Sequence, residues 1–231
     1  MKILPHHSWA LMPKQAVDLQ RRLAAELQPE GPTVPVQRVA GVDVSYDAQL
    51  DRLWGGVVIL DYATLQPLEQ VVVDGPSEFP YVPGLLSFRE VPVILEAMRQ
   101  IEMPPDLIIC DGQGLAHPRR FGLACHLGSL LKIPALGCAK SRLIGTYAEP
   151  APDKGCWSPL EDNGQIIGSV LRTRTNVSPV FISAGYRTGL EQARDIVLHC
   201  CPKYRLPETT RLAHKAVNKQ RMAARKSAEL N

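Results

Sequence analysis

Three strand-length apolar runs, near Arg38 to Ser45, Trp54 to Leu60 and Leu68 to Val73, follow one another with only brief polar or turn-prone segments between them. Connections that short cannot hold a crossover helix, so neighbouring strands must run antiparallel, as a meander. A helix over Pro13 to Leu27 precedes the meander, with Ala16, Leu19, Leu23 and Leu27 on one face. Beyond it the pattern alternates. Leu85 to Ile101 reads as a helix with Phe88, Val91, Leu95 and Met98 at helical spacing, and Pro92 inside it predicts a kink or a late start. Asp106 to Cys110 is a short continuous apolar run, the mark of a strand buried on both faces, and Phe121 to Leu131 is again helical. Pro134 to Cys138 reads as another buried strand, Gln165 to Thr173 and Pro179 to Ala184 as a further pair, and Gly189 to Cys200 and Pro207 onward as closing helices. The stretch Glu149 to Gly164, rich in Pro, Gly and Asp, reads as a loop. The expected fold is α/β: one domain over residues 1–231, built on a mixed β-sheet with helices on both faces.

Composition narrows the setting more than the chemistry. With 45% hydrophobic and 21% charged residues, the balance is that of a soluble globular protein. No segment approaches the ~20 apolar residues that a membrane span requires, and the six cysteines form no CxxC pair, so a reduced, cytoplasmic monomer without membrane contact is expected. A net charge of +3 does not diagnose nucleic-acid binding, but its distribution is uneven. Between Lys203 and Lys226 eight Lys and Arg residues face the single acid Glu208. This basic end, from about residue 215 to 231, reads either as a surface following a phosphate backbone or as a flexible, solvated tail.

Asp43 lies in the apolar strand VAGVDVSYD, where a lone buried carboxylate costs several kcal/mol unless something pairs with it. Alone, it reads equally as an Asp bonded to a loop or paired with an Arg. Asp111, however, directly follows the buried run LIIC and precedes Gly112, Gln113 and Gly114, a strand end at which glycines let a ligand approach closely. Glu90, in the helix after a Pro-rich loop, is either a surface residue or a third carboxylate. Three carboxylates from separate elements make a hard oxygen site, suited to magnesium or manganese rather than zinc. Such sites commonly serve phosphodiester hydrolysis.

Five ordered segments, AGVDVSYD from Ala40, PYVPGLLSFRE from Pro80, CDGQGLAHPRRFGLACHLG from Cys110, GCAKSRLIG from Gly137 and YRLPETTRLAH from Tyr204, closely resemble the signature segments of the endonuclease V family. The resemblance implies a ribonuclease H-like fold and a Mg²⁺-dependent enzyme, with Mn²⁺ able to substitute. It implies that Asp43, Glu90 and Asp111 bind the metal. His214 would complete the site by orienting or deprotonating water or by holding a second metal, and Lys140 would lie near the scissile phosphate. It further implies that Pro80, Tyr81, Val82 and Pro83 form a wedge entering DNA beside a damaged base. Gly84, Leu85, Gly112 and Gly114 would line the pocket for that base, and His117 would contact phosphate or cap the following helix. Gln113 departs from the His that many members carry between these glycines.

The function so implied is recognition of deaminated adenine in DNA and hydrolysis of the second phosphodiester on its 3′ side, leaving a 3′-hydroxyl and a 5′-phosphate. The alternatives are an endoribonuclease acting on inosine in RNA and a ribonuclease H-like nuclease of another branch, which has no reason to carry the Pro80 to Pro83 wedge. A silent binding module has no reason to keep Asp43, Glu90, Asp111 and His214 together.

Overall fold

The computed structural model describes residues 7–31 and 35–229. The expected meander is present as β1 (Arg38–Asp47), β2 (Arg52–Asp61) and β3 (Pro67–Pro76), each antiparallel to the next. β4 (Leu107–Cys110) and β5 (Ala135–Ala139) then pair parallel, β4 beside β1 and β5 beside β4. Three antiparallel strands, β6 (Trp157–Asp162), β7 (Gln165–Leu171) and β8 (Val180–Tyr186), complete one eight-stranded sheet in the order β3-β2-β1-β4-β5-β8-β7-β6. The result is the mixed, helix-flanked sheet of a ribonuclease H-like fold.

Two helices, α2 (Leu86–Arg99) and α3 (Leu123–Leu131), cover one face of the sheet, where Ala40, Val42, Ile59, Ile94 and Leu127 share a core. On the other face α4 (Leu190–His199) and α5 (Glu208–Glu229) pack over Val39, Leu60, Ile109 and Leu136. Strand alternation thus sends Val39, Gly41 and Asp43 toward α5. At Gly41 the approach is so close that a Cβ would stand 2.2 Å from the Thr209 backbone, so only glycine lets the start of α5 rest on β1. α1 (Pro13–Ala25) lies apart from both layers, its Ala16 and Leu19 packed on Phe79, Leu85 and Phe88.

Two expectations change. Glu149 to Gly164 is not all loop, because β6 runs through Trp157–Asp162 and pairs with β7. The hairpin turns on Asn163 (φ 52°) and Gly164 (φ 73°), the left-handed pair that a two-residue turn of matching twist requires. α2 continues through Pro92 from Leu86, so the proline neither delays nor ends it. The closing helix expected from Pro207 onward is α5, which carries the basic C-terminal run to Glu229; Thr209, Thr210, Ala213, Ala216 and Val217 supply its buried stripe. Among the described residues no helix is long and apolar enough to cross a membrane.

Candidate active site

Register brings the first two carboxylates together. β1 and β4 pair with Val42 opposite Cys110, so the next residue on each chain, Asp43 and Asp111, stands at the same level on adjacent strands. Both side chains are largely buried, 10% and 13% exposed. Burial pushes the Asp43 carboxyl up to about 6, with a further push from the charge of Asp111, against which His214 pulls it down. Glu90 approaches from α2 on the opposite face. Burial raises it to about 8, and the charges of Asp43 and Asp111 add to that.

Each strand carboxylate has a cationic or polar neighbour. His214, on the exposed side of α5 beside the buried Ala213, places Nδ1 2.8 Å from Asp43 Oδ2. Lys140, at the end of β5, donates from Nζ to Asp111 Oδ2. Among the described residues no three His, Cys, Asp or Glu side chains stand in an arrangement that would by itself hold a metal ion. The donor set nonetheless fits a hard divalent cation, because three oxygen-only carboxylates crowd their charge into a partly desolvated space that a cation would relieve.

That crowding predicts a stability effect. The folded-state carboxyl of Glu90 titrates near 8, above its usual 4.5, so the native state is increasingly penalised as pH climbs from 4.5 to 8 and by a constant amount beyond. Glu90→Gln removes the penalty. In a chelator it is expected to raise stability by about 1–3 kcal/mol at pH 8, with little gain at pH 4.5. Thermal melts across that range check it, and a lower melting temperature at pH 8 would mean that Glu90 is not under strain.

Beside the carboxylates lies a cavity of ≈ 150 Å³ lined by Tyr81, Gly84, Gly112, Gln113, His117 and Leu143, among others. Tyr81 stands 71% exposed in the turn between β3 and α2. Gly84 takes a left-handed conformation, φ +77°. Its carbonyl accepts from Arg119 Nη2 at 2.6 Å, His117 Nε2 at 3.0 Å and Gln20 Nε2 at 3.2 Å.

Three sequence assignments shift accordingly. His117 is 4% exposed, and burial, followed by the Arg119 charge, lowers it to about 4. Its Nδ1 accepts from the Arg119 backbone, which leaves Nε2 as the donor to Gly84; in this structure it is a neutral anchor of the pocket wall. The Leu85 side chain is buried with Ala16, Leu19 and Phe88 rather than lining the cavity. Gly114 packs against β8, where a Cβ would meet the Ala184 carbonyl oxygen at 2.0 Å, and its N–H donates to Ser183. Gln113, the departure from the family pattern, donates from Nε2 to the Ser141 carbonyl at 3.1 Å, tying the pocket to the Lys140 loop.

Sequence reasoning passed over several residues that hold this arrangement. Arg205 donates to the carbonyls of Lys140 (2.6 Å), Pro179 (2.8 Å) and Ser178 (2.8 Å), clamping the end of β5. Asn218, one turn after His214, places Nδ2 3.1 Å from His214 Nε2 and accepts from Ser45. An i, i+4 pair of His and Asn is a signal a sequence offers, though a weak one.

Comparison with known proteins gives this constellation a context. A family model described as endonuclease V matches residues 18–215. An endonuclease V of Nostoc sp. is 49% identical over 216 residues, spanning 93% of this chain and 98% of the relative. The crystal structure of endonuclease V from Streptomyces avermitilis superposes with a TM-score of 0.90 at 42% identity, covering 94% of this chain and 96% of that one. A more distant match in fold, the Ciona intestinalis endonuclease V (TM-score 0.81, 24% identity, 91% of this chain and 98% of that one), was crystallised with a 24mer DNA containing an inosine followed by a ribo-adenosine.

Proposed function

The chain belongs to the endonuclease V family, and from that premise we propose that it is a metal-dependent DNA repair endonuclease. It recognises inosine in DNA and hydrolyses the second phosphodiester on the 3′ side, leaving a 3′-hydroxyl and a 5′-phosphate. The observation that carries this reading is the meeting of Asp43, Asp111, Glu90, Lys140 and His214 beside a pocket flanked by an exposed aromatic wedge.

Asp43, Glu90 and Asp111 would hold Mg²⁺ or Mn²⁺, which supplies an acidified water and charge neutralisation on the phosphate. The chain's own groups do the rest. Lys140, anchored through its backbone by Arg205, offers a fixed positive charge to the phosphate oxygens as charge builds on them. His214 donates Nδ1–H to Asp43, so the Nε2 lone pair is the one available to take a proton from the attacking water. The bond to Asp43 fixes the plane of that ring, while Asn218 donates from Nδ2 to the His214 carbonyl at 2.9 Å. Tyr81, between Pro80 and Pro83 in a turn already restricted, replaces the stacking lost when the base leaves the duplex. The six free thiols suit a reducing, cytoplasmic setting.

Matched DNA and RNA oligonucleotides, with and without inosine, test the reading in magnesium. One cut in inosine-containing DNA, with unmodified strands intact, is expected; cleavage of inosine RNA alone would move the substrate to RNA. Calcium is expected to support binding without turnover, because its longer, more flexible coordination fits the carboxylates without assembling the reactive geometry. Robust turnover in calcium or in a chelator would contradict the metal assignment. Since Glu90 must lose its proton to act as a ligand, Mn²⁺ affinity should climb with pH up to about 8 and level off above it, a titration followed by calorimetry.

A further inference from the structure

The segment from Lys140 to Ile144 is a ridge between two concavities. Leu143 lines the proposed base pocket, whereas Lys140, Ser141 and Arg142 line an open cleft of ≈ 990 Å³ together with Tyr147 and Arg205. We infer that this cleft is a track for single-stranded nucleic acid running away from the scissile phosphate, in which Arg142 meets a phosphate and Tyr147 stacks on a base. The inference rests on the nuclease reading above and deepens it.

Charge is the first argument. Lys140, Arg142, Arg172 and Arg205 line the cleft against the single acid Glu149, whose carboxylate is held by Arg172 at 2.7 Å. Arg172 and Arg205 are spent on structure, since each donates to several backbone carbonyls. Arg142 is exposed and donates from Nη1 to the Gly145 carbonyl at 2.9 Å, so most of its five N–H donors remain for a ligand.

The second argument is a pre-set stacking platform. The Tyr147 ring meets Phe181 edge-on, at 5.5 Å and 75°, and the Arg142 guanidinium lies 5.7 Å from the ring centre. A cation beside an aromatic ring in a positive groove is the chemistry by which single strands are held without regard to sequence. The third is continuity. A strand with its phosphate at Lys140 and a base in the pocket on one side of the ridge continues on the other side, and there it meets this cleft.

The test measures fluorescence anisotropy, in EDTA, of inosine-containing single strands that either end at the nucleotide after the scissile phosphate or continue well beyond it. Wild-type protein should bind the longer strand more tightly. Arg142→Ala and Tyr147→Ala should each weaken the longer strand about 5- to 10-fold and the truncated one less than about twofold. Arg142→Ala should also flatten the salt dependence by roughly one contact, a slope change of ~0.7, which Arg142→Lys restores. Arg22→Ala on α1, a charge control, should shift neither strand. Equal losses on both strands, no loss, or no length preference in the wild type would each overturn the cleft. If Tyr147→Ala lowers the melting temperature, the exposed Arg142 pair of variants decides alone. The same two lengths without inosine separate the readings: a length preference that Arg142→Ala abolishes, with no preference for inosine, would uphold the cleft and sink the inosine assignment.

Discussion

Asp111→Asn, and separately Asp43→Asn, is expected to reduce strand cleavage on the order of 10³-fold or more, because a metal ligand supports several kcal/mol of charge stabilisation at the reacting phosphate. Binding of inosine-containing DNA should remain measurable, since the cavity beside Tyr81, the proposed base pocket, is lined by none of the three carboxylates. The two variants fail for overlapping reasons. Asp111→Asn removes a proposed metal ligand and weakens the contact that draws Lys140 inward, whereas Asp43→Asn removes a proposed metal ligand and the charged acceptor that orients His214. Neither loss should come from unfolding. Asp43 and Asp111 repel each other and together raise Glu90, so deleting one charge relieves the native state, and the melting temperature in a chelator should hold or rise. Cleavage, gel shift and melting on one preparation make the check. Near-wild-type cutting by either variant would take that residue out of the metal site.

Asp43 and Asp111 were legible in the sequence because each breaks a local rule, one as an acid inside an apolar strand and the other as an acid capping a buried run. The sheet order then explains why they meet, through the Val42 to Cys110 register that no local pattern encodes. Glu90 violated nothing locally. A helix acid looks the same whether it faces water or two other carboxylates, and only the packing of α2 distinguishes them. Arg205, Gln20 and Arg119 were invisible for a related reason, as their partners lie 65 and 99 residues away and their role is to hold carbonyls in place. β6 was missed although its signal was local: Pro, Gly and Asp in the preceding stretch masked Asn163-Gly164, a strong two-residue hairpin signature. His117 shows the opposite case. Read as a phosphate contact or a cap of the following helix, it is buried by the fold, with both ring nitrogens occupied.

Tyr81→Ala is expected to weaken selective binding of inosine-containing duplex on the order of 5- to 150-fold, the range that corresponds to the roughly 1–3 kcal/mol of one aromatic stack on a base. The chemical step should suffer less. Under single-turnover conditions with saturating enzyme, mass action supplies the missing binding energy, while Asp43, Glu90, Asp111, Lys140 and His214 are untouched. A competing reading makes Tyr81 a packed turn residue, whose loss would cost stability instead. Its 71% exposure argues against that, because a ring so open to water contributes little apolar burial to the fold. What holds this turn lies beneath it: Phe79 is 4% exposed, and its carbonyl accepts from Arg89 at 2.6 Å, while the Leu85 N–H donates to the Val82 carbonyl at 2.9 Å. None of these contacts involves the tyrosine ring, so the melting temperature of the variant should match the wild type. Affinity, melting temperature and single-turnover rate therefore move differently under the two readings. Unchanged affinity for inosine-containing duplex would end the wedge assignment, and a Tyr81→Phe variant that restores affinity would trace the effect to the ring and not to its hydroxyl.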